Sequence, residues 1–477
     1  MASKRAGAVK VAILGAGPAG LGAAMRLRRD ERAEATVFEA GDRVGGTAGS
    51  FDVHGVHCDF GSHRLHPASD PAILEDIKTL LGEGLLLRPR HGRIRLQGSW
   101  IHFPLRPADL ALKLPPAYAS RLFFDAATAK RFAPKGERET FETVMLGGLG
   151  RTMCESFYFP YMKKLWGLDP DALAPTLARR RVSGSSLPKL MRKIFGQLPG
   201  LKSPTTGKFY YPRDGFGAIC EAIAKDAEAN GAVIRRRSRV ERILFDGVRV
   251  RGVSTSGEAA GEHEADHVWS TLPLTTLVRA AGEAAPMAVR EASRAMRYRG
   301  MILVYLTLKT DQYTEYDAHY FPELSIPISR LSEPKNYSAA TTPSRLTILC
   351  AELPADPNDA YWSMEDRALG EALYGWLGDC GLPATAKIAD VFTRKLPFAY
   401  PVYDANYEAH FRVMDRWAES LDGFLTYGRQ GLFAHDNTHH ALAMAYGAVE
   451  CLGADGAFDR TRWAAYRREF ESHVVED

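Results

Sequence analysis

The stretch VAILGAGPAGLGAAM, Val11 to Met25, decides the fold. Val11–Leu14 is an apolar run of the kind that forms a buried strand. Gly15, Gly17 and Gly20 follow in G-x-G-x-x-G spacing, and Leu21–Arg28 then continues with an apolar face at helical spacing. Each glycine has a physical task. Gly15 permits the tight turn, Gly17 lets the backbone approach a pyrophosphate, and Gly20 lets the helix pack closely on the strand; the helix dipole then points at the phosphates. Pro18 and Ala19 belong to the same cofactor loop. A second short strand, ATVFEA (Ala35–Ala40), places Glu39 nineteen residues beyond Gly20, where a carboxylate accepts ribose hydroxyls; Ala40 adjoins it. A strand before, a helix after and an acid at that distance predict a bound dinucleotide rather than a structural glycine turn.

The rest of the chain sets bounds. Its 477 residues exceed one ordinary domain. A formal charge of +4, with no dense basic stripe, argues against nucleic acid as a partner. The six cysteines are scattered without CxxC or zinc spacing, which predicts reduced, buried thiols and no metal. MASKRAGAVK is too short and polar for a secretory signal, and the longest apolar run, Met301–Leu308, is far below a membrane span, so no transmembrane segment and a cytoplasmic location are expected.

GDRVGGTAGS follows the acid directly, giving Arg43, Gly45, Gly46 and Thr47 in R-x-G-G-T order. This resembles the FAD-binding superfamily of amine oxidases, protoporphyrinogen oxidases and UDP-galactopyranose mutases. Further segments are similar to that group: HCDFGSHRLHPASDP (His57–Pro71), FYFPYMKKLWGLDPDALAP (Phe157–Pro175), Gly207–Ile243, ADHVWSTLPL and YGRQGLFAHDNTHHALAMAYGAVECL (Tyr427–Leu452). The resemblance implies an α/β fold: a discontinuous, Rossmann-like FAD domain of the glutathione-reductase type with an inserted α+β substrate domain. Residues 1–75, 208–290 and 415–477 are assigned to the first, and 76–207 and 291–414 to the second. It also implies FAD contacts from Gly61, Ser62 and His63, from the Val240 backbone at the adenine, from Thr271, and from Asn437, Thr438, His439 and Ala441 at the last helix, which Asn437 is placed to cap. No cysteine stands in GLFAHDN, which implies noncovalent FAD. The lysine that amine oxidases usually carry on the strand corresponding to GMILVYLTL is missing, Lys309 standing beyond its end. The segment RVSGSSLPKLMRKIFGQLPGLKSPTTGKFYYP looks unlike the mutases and nearer the porphyrinogen-oxidase branch.

Among single residues, His63 and His66 flank Arg64 in the loop that the resemblance sets against the flavin. These three and Tyr400 are the catalytic candidates, His63 as a donor or proton exchanger near N5. Arg213 either binds an anionic group or caps the following helix. Arg330 and Lys335 either grip a phosphate or carboxylate or pair with Glu333 or another acid. Tyr400 and Tyr403 either line the substrate space or simply pack, and Trp166 is a core residue. His439 and His440 point to different helix faces and cannot readily chelate together.

The first functional reading is a FAD-dependent oxidase or dehydrogenase, passing hydride from a small organic metabolite, such as a sugar or secondary-metabolite intermediate, to flavin N5, with O2 or an external acceptor restoring the ring. The second is a redox-neutral, mutase-like isomerase of a nucleotide sugar that needs reduced FAD. The third is a protein that retains FAD for binding or assembly.

Overall fold

The computed structural model describes residues 8–67, 69–129, 138–181 and 207–475. Most of the segment read above as unlike the mutases, 182–206, and the terminal residues 1–7 lie outside them.

The opening stretch folds as its pattern dictates. Lys10–Leu14 is a strand with every residue after Lys10 buried, and Pro18–Arg29 is the helix that follows, with proline in its first turn. Leu21, Ala23, Ala24, Met25 and Leu27 are fully buried, so the helix face read from the sequence is the packed one. Five parallel strands form the sheet around it, in the order Phe424–Thr426, His267–Ser270, Lys10–Leu14, Glu34–Phe38, Val233–Arg235. The sheet therefore gathers strands from the front, the middle and the end of the chain. The helix Thr438–Glu450 shares a core with Pro18–Arg29, and a Cβ on Gly22 would stand 2.8 Å from the Leu442 side chain, which marks how closely the two approach.

A seven-stranded sheet faces this layer. Its order is Ile388–Pro401, Tyr298–Leu308, Thr347–Pro354, Arg330–Ser332, Ala318–Tyr320, Gly92–Leu96, Ser99–Phe103. Strands from 92–103 and from 298–401 thus share one sheet. The apolar run Tyr298–Leu308 is its spine, antiparallel to a neighbour on each side and buried from Gly300 onward. Leu85–Pro89 pairs with Lys208–Pro212, which brings the loop after Pro89 to the boundary between the sheets. Between these strands lie helices Pro116–Thr128, Phe141–Leu149 and Phe159–Trp166; LGGLG is the end of the second, closed by Gly150 at φ +80°. All six cysteines are buried and free, and Trp166 is a core residue. Among the described residues no helix is long and apolar enough to cross a membrane.

Candidate functional site

A crevice of about 380 Å³ runs between the two sheets. One end is the glycine turn. Gly15 takes φ +100°, a conformation that disfavours any side chain. A Cβ on Gly20 would lie 1.9 Å from the Gly15 carbonyl oxygen, so only glycine lets helix and strand meet there. A Cβ on Gly17 would touch nothing within 4 Å, because that position faces the open crevice. Gly17 is also the N-cap of Pro18–Arg29 and offers no side chain to its amides, leaving them for a ligand. Glu39 accepts the amides of Ala16 at 2.9 Å and Gly41 at 2.7 Å, one on each oxygen, which fixes its carboxylate at the crevice wall with lone pairs to spare. Beside it the Arg43 guanidinium packs over Phe51 and Phe60, and its buried Nη1 has no hydrogen-bond partner.

The crevice lining takes in Gly15, Gly17, Pro18, Ala19, Glu39, Gly46, Thr47, Ser62, His63, Thr271, Asn437, Thr438 and Ala441, all read from the sequence as cofactor residues. Gly20, Ala40, Arg43, Gly45, Gly61 and His439, read the same way, are not among its lining residues. Val240 does not reach it: this residue sits on the strand Ser238–Asp246 and packs partly buried against a core cluster.

At the other end, His63 and its loop face the last helix. His63 Nε2 lies 3.0 Å from the Phe60 carbonyl, and a carbonyl only accepts, so this nitrogen carries the proton and Nδ1 keeps its lone pair. Burial lowers the His63 pKa, with the Asp59 charge opposing, so the ring is neutral near pH 7. The ring stacks on Phe216. Asp59 beneath accepts Ser50 Oγ, Tyr211 Oη and the Phe216 amide, and burial raises its pKa all the same. Arg64 lines the crevice too, but its two Nη atoms donate to Tyr320, Tyr337 and Asp317, which makes it the anchor of the loop. Ser62 Oγ pairs with Tyr337 Oη, and the Ser62 amide donates to Glu352 at 2.9 Å. At the start of Thr438–Glu450, the Asn437 side chain caps the helix as expected, in a box with His440. His66 lies near His439, whose pKa burial pushes down to about 3, with His440, His66 and His473 adding to the shift. Tyr400 stacks on His435 under the Arg429 guanidinium, behind the crevice-lining Leu396–Phe398.

Three substrate-binding expectations are corrected. Lys335 is 5% exposed, and its Nζ donates to the carbonyls of Asp311, Pro343 and Leu346; it pins the fold. Arg213 is exposed on a turn outside the crevice, its amide bonded to the Gly84 carbonyl. Tyr403 is 1% exposed, donates to the Phe433 carbonyl and accepts the His435 amide. Arg330 does line the crevice, yet it is paired, and its partner is not Glu333: Nε and Nη2 each donate to Glu352 at 2.9 Å. The two residues stand opposite each other on adjacent strands. Glu333 is taken up by the Tyr313 and Thr314 amides and Thr347.

Sequence reasoning missed Arg90, Leu272, Pro273, Leu396–Phe398, Gln430 and Asp436 in the lining. Arg90 follows Pro89 and is carried in by the pairing with Lys208–Pro212, a contact with no local signal.

A family model described as flavin containing amine oxidoreductase matches residues 18–374. The chain is 25% identical over 255 residues to coproporphyrinogen III oxidase of Staphylococcus aureus, a match spanning 49% of this chain and about half, 54%, of that relative's length. Its fold is similar to that of reduced UDP-galactopyranose mutase, at TM-score 0.80 and 20% identity, covering 98% of this chain and 100% of that one. It is also similar to cyclohexylamine oxidase from Brevibacterium oxydans IH-35A, at TM-score 0.64 and 16% identity, covering 93% and 98%. At such identities the structural likeness is one of fold.

Proposed function

The chain belongs to the flavin-containing amine oxidoreductases, and we propose that this FAD-dependent oxidoreductase oxidises a small organic metabolite over noncovalently held FAD. The observation that carries the reading is one continuous crevice, lined by Gly15, Gly17 and Glu39 at one end and by Ser62, His63, Asn437 and Thr438 at the other. The residues fit the cofactor: Gly17 leaves open space where a side chain would intrude, Glu39 is fixed with free lone pairs, and the Arg43 Nη1 is unpartnered. Glu39 would hold the ribose, the amides after Gly17 the pyrophosphate, and the helix start at Thr438 the ring's polar edge. We take residues 1–75, 208–290 and 415–477 as the FAD domain and the remainder as the substrate domain.

Bound FAD supplies a two-electron acceptor for a substrate hydride, and O2 or an external acceptor takes the electrons onward. The protein's own work is to place the substrate and to manage its proton. His63 presents a neutral imidazole whose Nδ1 lone pair accepts that proton. The Glu352–Arg330 pair holds the loop through the Ser62 amide, and Leu396–Phe398 give the crevice an apolar wall. A second reading, redox-neutral isomerisation of a nucleotide sugar with reduced FAD, is favoured by the strand Tyr298–Leu308, which carries no lysine.

Purified protein should be yellow and release flavin on acid treatment. Candidate metabolites are screened for flavin bleaching without oxygen, and the one that bleaches should then yield peroxide under air. Activity only after dithionite, with no net electron flow, selects the second reading. His63→Ala should lower kcat about 100-fold with flavin absorbance unchanged; an unaltered rate removes His63 from the chemistry.

A further inference from the structure

Where the last helix begins, an unpartnered carboxylate and two histidines come together. Asp436 lines the crevice, yet its side chain is 1% exposed and neither carboxylate oxygen has a hydrogen-bond partner. His440 Nδ1 lies 3.8 Å from Oδ1, and His473 Nδ1 lies 3.8 Å from Oδ2. These distances are too long for hydrogen bonds. One donor atom from each of the three residues lies within 4.8 Å of the other two. His473 comes from beyond the last helix, Arg460–Phe470, and is held there by the Val475 amide on the Arg180 carbonyl. Arg180 also attracts the Asp436 charge, though without a hydrogen bond to it.

We propose that Asp436, His440 and His473 bind one divalent transition-metal ion of the zinc class. Two imidazoles and a carboxylate are ligands such ions take readily. Metal–ligand bonds of about 2.1 Å put neighbouring ligand atoms roughly 3.4 Å apart in a tetrahedron, so ligand atoms that now stand up to 4.8 Å apart close in by about 1.4 Å at most. The buried carboxylate then gains the partner that it lacks, and such a group is costly to leave bare. His440 gives up the long, 3.3 Å bond that its Nδ1 accepts from the Asn437 amide. The His440 and His473 rings stack at 4.2 Å with 15° between their planes. Coordination in the plane of both requires one ring to turn, and His473, on the terminal segment, is the one that does. The bound ion would add positive charge beside the helix start at Thr438, but binding itself does not depend on which flavin reaction the protein performs.

The test uses full-length, tag-free, FAD-loaded protein, stripped with chelator, titrated with ZnCl2 by calorimetry and assayed for bound zinc by elemental analysis. The expected result is about one zinc per chain in the wild type, falling to background in His473→Ala and in Asp436→Asn. His91→Ala, which disturbs the separate His91–His102 pair, should keep the full equivalent. Flavin absorbance recorded on each sample shows whether the cofactor crevice is intact, so its loss is not read as loss of zinc. Where His473→Ala loosens the terminal segment, His473→Gln gives the same reading. A wild type that binds no zinc, or a His473 variant that binds as much as wild type, overturns the proposal.

Discussion

The glycine turn at one end of the crevice and the charged wall at the other use their residues in opposite ways. In the turn the backbone does the work: Gly15, Gly17 and Gly20 matter for what they lack, and the one charged group, Glu39, is held by amides two and twenty-three residues away. On the wall the side chains do the work, and they do it for one another. Arg330 meets Glu352, and Arg64 meets Asp317. Gly15, Gly17 and Glu39 therefore line open space, whereas the wall charges of Arg330 and Arg64 are already satisfied. A charged residue near a site is evidence of ligand binding only after its partners inside the protein have been found.

The difference is broken most severely at Gly20. Its Cβ would overlap the Gly15 carbonyl oxygen, a backbone atom that cannot step aside. Gly20→Val should cost more than about 4 kcal/mol and abolish folded, flavin-retaining protein, as soluble yield and a thermal melt would show. The wall comes next. Glu352→Ala strands a largely buried guanidinium and removes the acceptor of the Ser62 amide, so about 3 kcal/mol or more should be lost in the urea midpoint. The double variant Arg330→Met, Glu352→Leu should recover most of that loss, because neither charge is then left bare; a double variant as unstable as the single one would mean that the pair is not the source.

These two sites also show what a sequence discloses. The turn was legible because its parts lie within about thirty residues and its geometry follows from spacing alone. Strands such as Tyr298–Leu308, the helix end at Gly150 and the cap at Asn437 were legible for the same local reason. Arg330 and Lys335 were not. Their partners come from chain segments that the fold, rather than the spacing, brings near, and an exposed ligand-binding arginine and a buried paired one have the same local neighbours. Arg90 and Asp436 entered the lining unannounced through strand pairing and helix placement.

Acid should act away from the glycine turn, through buried histidines. Burial lowers the pKa of His63, of His319 on the seven-stranded sheet, and of His439 at the last helix. Each takes up a proton near pH 6.5 in the unfolded chain but not in the native one. The unfolded state binds more protons there, so the stability these residues confer is present above about pH 6.5 and is lost as pH falls. The slope is up to about 1.4 kcal/mol per pH unit for each histidine. His319→Gln should flatten the acid limb of a stability–pH curve measured by urea unfolding by one such share. An unchanged limb would mean that His319 is protonated in the native state too.

The mildest change to stability should fall in the same turn as the most severe one, and that contrast sharpens the comparison. Gly17 has φ −76° and ψ 179°, which alanine adopts without strain, and its added Cβ meets nothing within 4 Å. Losing glycine at the N-cap costs about 1 kcal/mol or less. The methyl group would, however, stand in the crevice where the proposed cofactor would bring its pyrophosphate to the backbone. Gly17→Ala should therefore melt within a few degrees of wild type when both are flavin-free, yet retain markedly less flavin through gel filtration. If the variant keeps its flavin, the phosphates do not lie against this turn. If it unfolds, Gly17 serves packing after all, and the turn differs from the wall less than the geometry says.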